Sequence, residues 1–464
     1  MVELERYATA NKIWTSKIKR LRLADLLCLD CGLRVEVRAK SKLEIRMSHS
    51  EVPGREWDAG LRNEDLVAFV AWRKDSRTPS TYHHFFRVGD MRSTARFARL
   101  GARKAASEGA ERDMTWPATV PGKDGHVIDI DSTARKARFR FPTGRIQLYQ
   151  LRTEGIPVHP YASEGEHLSG GEQFLFGCVE APQTVRCPGP GWNFKVVLDA
   201  NNAIDRYAAV KAAGIDGRTP AVEGRLVEIA ENEEEDLRIR LEAVGSLARM
   251  NPSAYVPELL EWVSKFALGN REEMAISMEG IFILSEQKSR EALAALTTLA
   301  SDSTMRSEAR SAAVWGLGAA GADDAGQVLP FIADPDDEVA LHAIAGIGAL
   351  DESLFSDLRE MLLEGSDREA ASACELLVGE GELGIRVLLE AAQSKSRARL
   401  WGIAALGRLP EADVKEAAAG RLNSNLAAML APMWAEQSNW LQAQQATSPA
   451  DFLRQQCVRH LGKE

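Results

Sequence analysis

The chemistry-bearing residues of this chain concentrate between Asp25 and Ser50, in DLLCLDCGLRVEVRAKSKLEIRMSHS. Two runs of alternating apolar character flank a tight CLDCG segment, which is the pattern of a β-hairpin. In the second run Glu36, Arg38, Lys40 and Lys42 stand two apart, so one strand face carries all four. A turn at Asp30–Gly32 sets Asp25 across from Arg38, where its carboxylate joins that face. An acidic pair beside a row of cations suits metal-assisted phosphodiester chemistry. It equally suits a phosphate-binding surface without catalysis.

The other chemical signals are thinner. Cys28 and Cys31 have the spacing of half a zinc site, but a tetrahedral site needs four ligands. The residues that could complete it, Cys178 and Cys187 or His83 and His84, are remote in sequence. Zinc is therefore not the expectation; free thiols shaping the turn are, with a redox pair as the remaining reading. Basic residues form three clusters in the front half. Lys17, Lys19, Arg20 and Arg22 precede the hairpin, while Arg92, Arg96, Arg99, Arg103 and Lys104 follow a helical spacing. Arg135, Lys136, Arg138 and Arg140 fall on a strand-like run. Such clusters neutralise phosphates in a salt-dependent, largely sequence-independent way, or simply keep a surface solvated. No Walker-type phosphate loop, GxSxG, HExxH or EF-hand loop occurs.

Charge is divided unevenly. The net charge of −10 resolves into 32 Lys/Arg against 25 Asp/Glu in residues 1–200, about +7, and 25 against 42 in residues 201–464, about −17. Contact with a polyanion is accordingly expected in the front half. With 45% apolar and 27% charged residues the composition is that of a soluble globular protein. There is no apolar run of membrane-spanning length and no secretory h-region at the N-terminus. Six cysteines in 464 residues do not make a disulfide framework, so a cytoplasmic, reduced protein is the expectation.

The elements that must carry these residues fall into four parts. Residues 1–112 read as an α/β unit: a helix over 1–22, the hairpin, a short helix in REWDAGL, strands in DLVAFVAW and TYHHFFRV, and a basic helix over 91–109. Residues 113–200 read as a small β-rich domain, with strands in GHVIDID, ARFRF, IQLYQL, IPVHPYA, GEQFLFGCV and FKVVLDA. Residues 201–424 form a helical array, and 425–464 its closing helices, in MWAEQSNWLQ and DFLRQQCVRHL.

The helical array repeats one theme. RIRLEAVGSLA, REEMAISMEGIFIL, RSEARSAAVWGLG, DEVALHAIAGIG, DREAASACELL and RARLWGIAALG each open on charge, continue with small residues and end in an aliphatic. The terminal positions Leu247, Leu284, Leu317, Ile347, Leu376 and Leu406 recur every 29–37 residues. Shorter partners such as PELLEWVSKFAL and VLPFIADP lie between, and Trp315 and Trp401 occupy packing positions in the seam. Over roughly 200 residues this resembles the HEAT-repeat family, which implies an α-solenoid used for docking partners or substrates.

In the middle part, VPGKDGHVIDI and YASEGEHLSGGEQFLFG resemble the barrel-sandwich-hybrid, or lipoyl-like, fold; a generic small β-barrel is the other reading. Lys136 does not stand in the context of a lipoyl or biotinyl acceptor, so neither group is expected. The front part resembles the PD-(D/E)XK nuclease family through Asp25 and Glu36-Val37-Arg38. That resemblance implies Asp25 and Glu36 as ligands of Mg²⁺, supplemented by Glu3 or Glu5, and a lysine two residues past the glutamate. Here that position is Arg38, which cannot serve as a base. Lys40, one step further along the face, could substitute. The combined expectation is a nucleic-acid-binding protein, with a Mg²⁺-dependent DNA endonuclease of restriction or antiviral-defence type as its sharper form. A non-catalytic adaptor that recruits proteins is the rival.

Overall fold

The computed structural model describes residues 2–3, 24–51, 56–73, 78–102, 112–150, 155–181, 185–320, 325–347 and 350–435. Two compact units divide the chain: one of residues 1–6 and 20–222, the other of 7–19 and 223–464.

The first unit is built on a five-stranded sheet in the order β1-β2-β3-β5-β6. Its strands are β1 (Val2–Glu3), β2 (Leu26–Leu27), β3 (Arg34–Lys40), β5 (Leu66–Arg73) and β6 (Thr78–Arg87). The expected hairpin is formed by β2 and β3, and β3 runs parallel to β5 while β5 and β6 are antiparallel. Leu66 to Ala71 are all buried, as a near-continuous apolar strand must be when it sits between two neighbours and is covered on both faces. One face of the sheet carries Val67, Phe69, Ala71 and Phe86 into a core shared with Ile45, Met47, Trp57, Trp116, Phe174 and Val179. The other carries Val35, Leu66 and Ala68.

A three-stranded sheet, β4-β8-β7, joins β4 (Ile45–His49), β7 (Arg99–Ala102) and β8 (Arg112–Trp116). The basic helix expected over 91–109 is therefore cut short. Helix α1 (Val88–Ser93) ends where Thr94 turns its hydroxyl back onto the Asp90 carbonyl at 2.8 Å, and Arg99–Ala102 pair with β8 instead. A cross-strand ladder has overridden local helix propensity. The short helix expected in REWDAGL is a pair of turns, closed by Ala59 N–H to Glu56 O and Leu61 N–H to Asp58 O and broken at Gly60, whose φ is +81°. Val2 and Glu3, expected in a leading helix, are strand; the rest of that helix lies outside the described residues.

The middle strands are β9 (Ala118–Thr119), β10 (Gly125–Asp131), β11 (Lys136–Arg140), β12 (Ile146–Gln150), β13 (His159–Pro160), β14 (His167–Leu168) and β15 (Phe176–Gly177). They make a four-stranded sheet, β12-β11-β10-β14, and a three-stranded one, β13-β15-β9. Among the described residues no ladder joins the two sheets into a closed barrel, which corrects the barrel expectation. FKVVLDA, expected as a strand, forms helix α2 (Phe194–Val197), because the Asn193 side chain accepts the Lys195 N–H at 3.1 Å and caps it. Helix α3 (Ala203–Asp216) follows, and α4 (Pro220–Glu231) straddles the boundary between the units.

The second unit is all-helical where described: α5 (Leu237–Met250), α6 (Pro252–Ala267), α7 (Arg271–Gln287), α8 (Arg290–Ser301), α9 (Ser307–Ala320), α10 (Asp337–Gly346), α11 (Glu352–Glu364), α12 (Asp367–Val378), α13 (Gly381–Gln393), α14 (Ala398–Leu406), α15 (Glu411–Ala418) and α16 (Ser424–Ala435). Each of the six recurring segments is a helix: α5, α7, α9, α10, α12 and α14. Contacts run from most helices to the next and to the next but one, which is solenoid-like stacking. Leu247, Leu284, Leu317, Ile347 and Leu406 are buried in the seam; at the fifth repeat Leu377, not Leu376, is the buried residue. Arg240 and Arg310, each seven residues before a seam leucine, do one job twice: their guanidiniums donate to the carbonyls of Ala230 and Ala300, at 2.8 and 3.0 Å. VLPFIADP holds one short 3-10 turn, Leu329–Phe331, and a second, Ala325–Gln327, precedes it. Helix α16 buries Leu426, Leu430 and Met433, and its Trp434 donates to the Leu406 carbonyl at 3.3 Å. The remaining closing segment, with Cys457, lies outside the described residues.

Candidate functional site

The β2–β3 ladder decides where the candidate residues stand. Leu26 pairs with Val35 and Leu27 with Arg34. Continued by one residue, that register sets Asp25 across from Glu36, not from Arg38. The shift is two residues, so it moves the partner without changing the face. Glu36, Arg38 and Lys40 share one face of β3, while Asp25 is a bend just before β2 whose carboxylate turns onto the β3 backbone.

Each of these side chains has an identifiable neighbour. Asp25 Oδ2 accepts the Val37 backbone N–H at 2.6 Å, which completes the ladder where β2 ends. Burial raises the Asp25 pKa; the Val37 amide and the Arg38 charge oppose that rise. Glu36 is 8% exposed, and its Oε1 pairs with the Arg38 guanidinium. Lys40 is depressed to about 8, first by burial and then by the positive charges of Arg38 and Arg46. A lysine in that range has a neutral fraction near physiological pH.

Other arginines of the unit hold the framework. Arg34 pairs with Asp205, and its backbone N–H donates to Asp65 Oδ1 at 3.2 Å. Fully buried Asp65 also takes the Arg62 guanidinium at 2.7 Å, and Arg62 reaches on to the Gly32 carbonyl at 2.6 Å. Arg92 binds Asp58, Asn63 Oδ1 and the Leu61 carbonyl at 2.6, 2.6 and 2.9 Å. Sequence reasoning missed the Arg62–Asp65 clamp, although ArgAsnGluAsp ahead of an apolar strand was its visible signal.

The expected cationic surface is partly described. Lys42, Arg96 and Arg99 are exposed, and the Arg96 guanidinium lies 4.7 Å from the centre of the Phe97 ring. Arg96, Phe97, Ser132, Thr133 and Arg135 line an open groove of about 530 Å³. Arg138 is engaged by Asp129. Lys17, Lys19, Arg20, Arg22, Arg103 and Glu5 lie outside the described residues.

The hairpin turn gathers cysteines that are far apart in sequence. Cys28, Cys31 and Cys187 bring their sulfurs within 4.8 Å of one another, and Cys28 Sγ is 3.7 Å from Cys187 Sγ. Cys178 is elsewhere, buried in the core beside Val179, and the His84 ring packs edge-on against Phe174. Among the described residues this is the one cluster of three or more groups with metal-ligand geometry.

Comparison with known proteins adds little. No protein-family model matches the chain, and no curated protein does. Among solved structures, that of human deoxyhypusine hydroxylase in complex with glycerol aligns over 52% of this chain and 94% of its own, at 14% identity and a TM-score of 0.22.

Proposed function

We propose that the first unit is a metal-dependent phosphodiesterase acting on nucleic acid, DNA before RNA, of restriction or antiviral-defence type. The second unit, read as HEAT-type stacking, then docks a protein partner or the substrate. The observation that supports this reading is the single β3 face that carries Glu36, Arg38 and Lys40, with the Asp25 carboxylate held nearby on the Val37 N–H. Hard carboxylate oxygens on adjacent strands fit Mg²⁺, which needs few protein ligands. When bound, the cation would offset phosphate charge and lower the pKa of an attacking water. Arg38, exchanged from Glu36 onto a phosphate oxygen, would orient the substrate and stabilise developing charge. Lys40, held down to about 8, is the group on this face able to take a proton from water near neutral pH.

The adaptor reading has its own support. Glu36 is already paired with Arg38, and Arg34, Arg62 and Arg92 serve the framework. A supercoiled-plasmid nicking assay in Mg²⁺ decides between the two. The first reading expects nicking by the wild type that falls to background in Glu36→Ala. Equal background from both proteins leaves the adaptor.

A further inference from the structure

We infer that Cys28, Cys31 and Cys187 form a zinc site that clips the β2–β3 turn to the segment carrying residue 187. The inference does not rest on the phosphodiesterase reading. Its first support is distance. Zinc–thiolate bonds of about 2.3 Å at tetrahedral angles place two sulfurs about 3.8 Å apart, and Cys28 Sγ and Cys187 Sγ are 3.7 Å apart. A disulfide would need about 2.05 Å, and all three cysteines are free thiols.

The second support is how the turn is held. Cys28 N–H donates to the Leu33 carbonyl and Gly32 N–H to the Cys28 carbonyl, both at 2.9 Å, so the loop doubles back between the two cysteines. Gly32 has φ +69°, and a Cβ there would meet the Trp192 ring. The backbone amides of Asp30 and Cys31 face the Cys28 sulfur. Arg62 fixes the Gly32 carbonyl from one side. From the other, Gly191 and Trp192 donate their N–H groups to the Asp30 carbonyl at 3.0 and 3.1 Å, which brings Cys187 in. The cradle is thus built by hydrogen bonds independent of any ion, and residues 159 apart in sequence complete it.

Three soft thiolates select zinc over magnesium or calcium. Each thiol gives up its proton on binding. Cys187 is exposed and Cys31 partly so, which leaves the fourth position to solvent, with Asp30 Oδ2 standing 4.0 Å from the Cys187 sulfur. The clip would close a very long loop, the case in which a cross-link removes most entropy from the unfolded chain.

The full-length protein, expressed with zinc and purified under reducing conditions without chelator, should carry about one zinc per chain by elemental analysis. Cobalt exchange should give the strong thiolate-to-metal absorption and visible bands of a tetrahedral site. Cys187→Ser, at an exposed position, should keep the wild-type circular dichroism yet lose bound zinc about tenfold or more. Cys374→Ser, in α12 of the other unit, should keep its zinc. A zinc-free wild type, zinc retained by Cys187→Ser, or a Cys28–Cys187 disulfide in place of metal in freshly purified protein would each overturn the site.

Discussion

At the scale of single residues, Lys40 decides more than the carboxylates do. Asp25 and Glu36 are as compatible with a phosphate-binding hairpin as with a catalytic one, and both have neighbours that account for their burial. A lysine brought down to about 8 by burial and two guanidiniums is harder to explain as framework. Because the folded value lies below the usual lysine value, the folded chain binds fewer protons than the unfolded one between them. Lys40 therefore opposes folding below pH 8, and stability from this group rises with pH above that point. Under the proposed phosphodiesterase reading the sign for activity is the same, with the neutral amine as the base. The nicking rate should rise with unit slope in log rate up to about pH 8 and then level. Lys40→Gln should lower the plateau by about 10²–10⁴-fold and remove the inflection. A wild-type profile flat from pH 6 to pH 9 would take Lys40 out of the chemistry.

At the scale of elements, local pattern and tertiary pairing compete, and each wins in a different unit. In the helical unit, small residues at close spacing let helix backbones approach, and local periodicity and packing agree. The clearest case is Gly318 in α9, where an added Cβ would meet the backbone carbonyl of Gly346 in α10. Backbone cannot step aside as a side chain can, so Gly318→Ala should destabilise by about 1–3 kcal/mol. The denaturation midpoint should show it, and an unchanged midpoint would mean that α9 and α10 do not touch there. In the first unit, by contrast, Arg99–Ala102 and Phe194–Val197 exchanged the structure that their composition favours. Ladder partners claimed the first; the second yielded to the adjacent Asn193 cap, a local signal that the strand pattern masked.

At the scale of the whole molecule, the charge division is the feature with a functional consequence. A front half near +7 and a back half near −17 mean that a polyanion, on the proposed reading, would be drawn to one end of the sequence. The exposed Lys42, Arg96 and Arg99 are the described part of that surface. Binding to a duplex DNA, followed by fluorescence anisotropy, should weaken linearly in log K against log salt. Arg99→Ala should reduce the slope by about 1 if that guanidinium neutralises one phosphate. A wild-type slope of zero would remove nucleic acid as the ligand and leave protein docking. Among the described residues no helix is long and apolar enough to cross a membrane.

What the amino-acid order determined alone is the apolar patterning between neighbours a few residues apart. Alternation over RVEVRAK set one face for Glu36, Arg38 and Lys40, the run LVAFVA made a doubly covered strand, and the repeating helices emerged where the aliphatic period placed them. Such patterns are local because backbone geometry relates residue i to i+2 in strands and to i+3 and i+4 in helices. What only the tertiary structure decided is convergence across long loops. The reach of Arg62 onto the Gly32 carbonyl and the arrival of Cys187 beside Cys28 have no spacing rule behind them. They follow from which surfaces the folded core leaves adjacent.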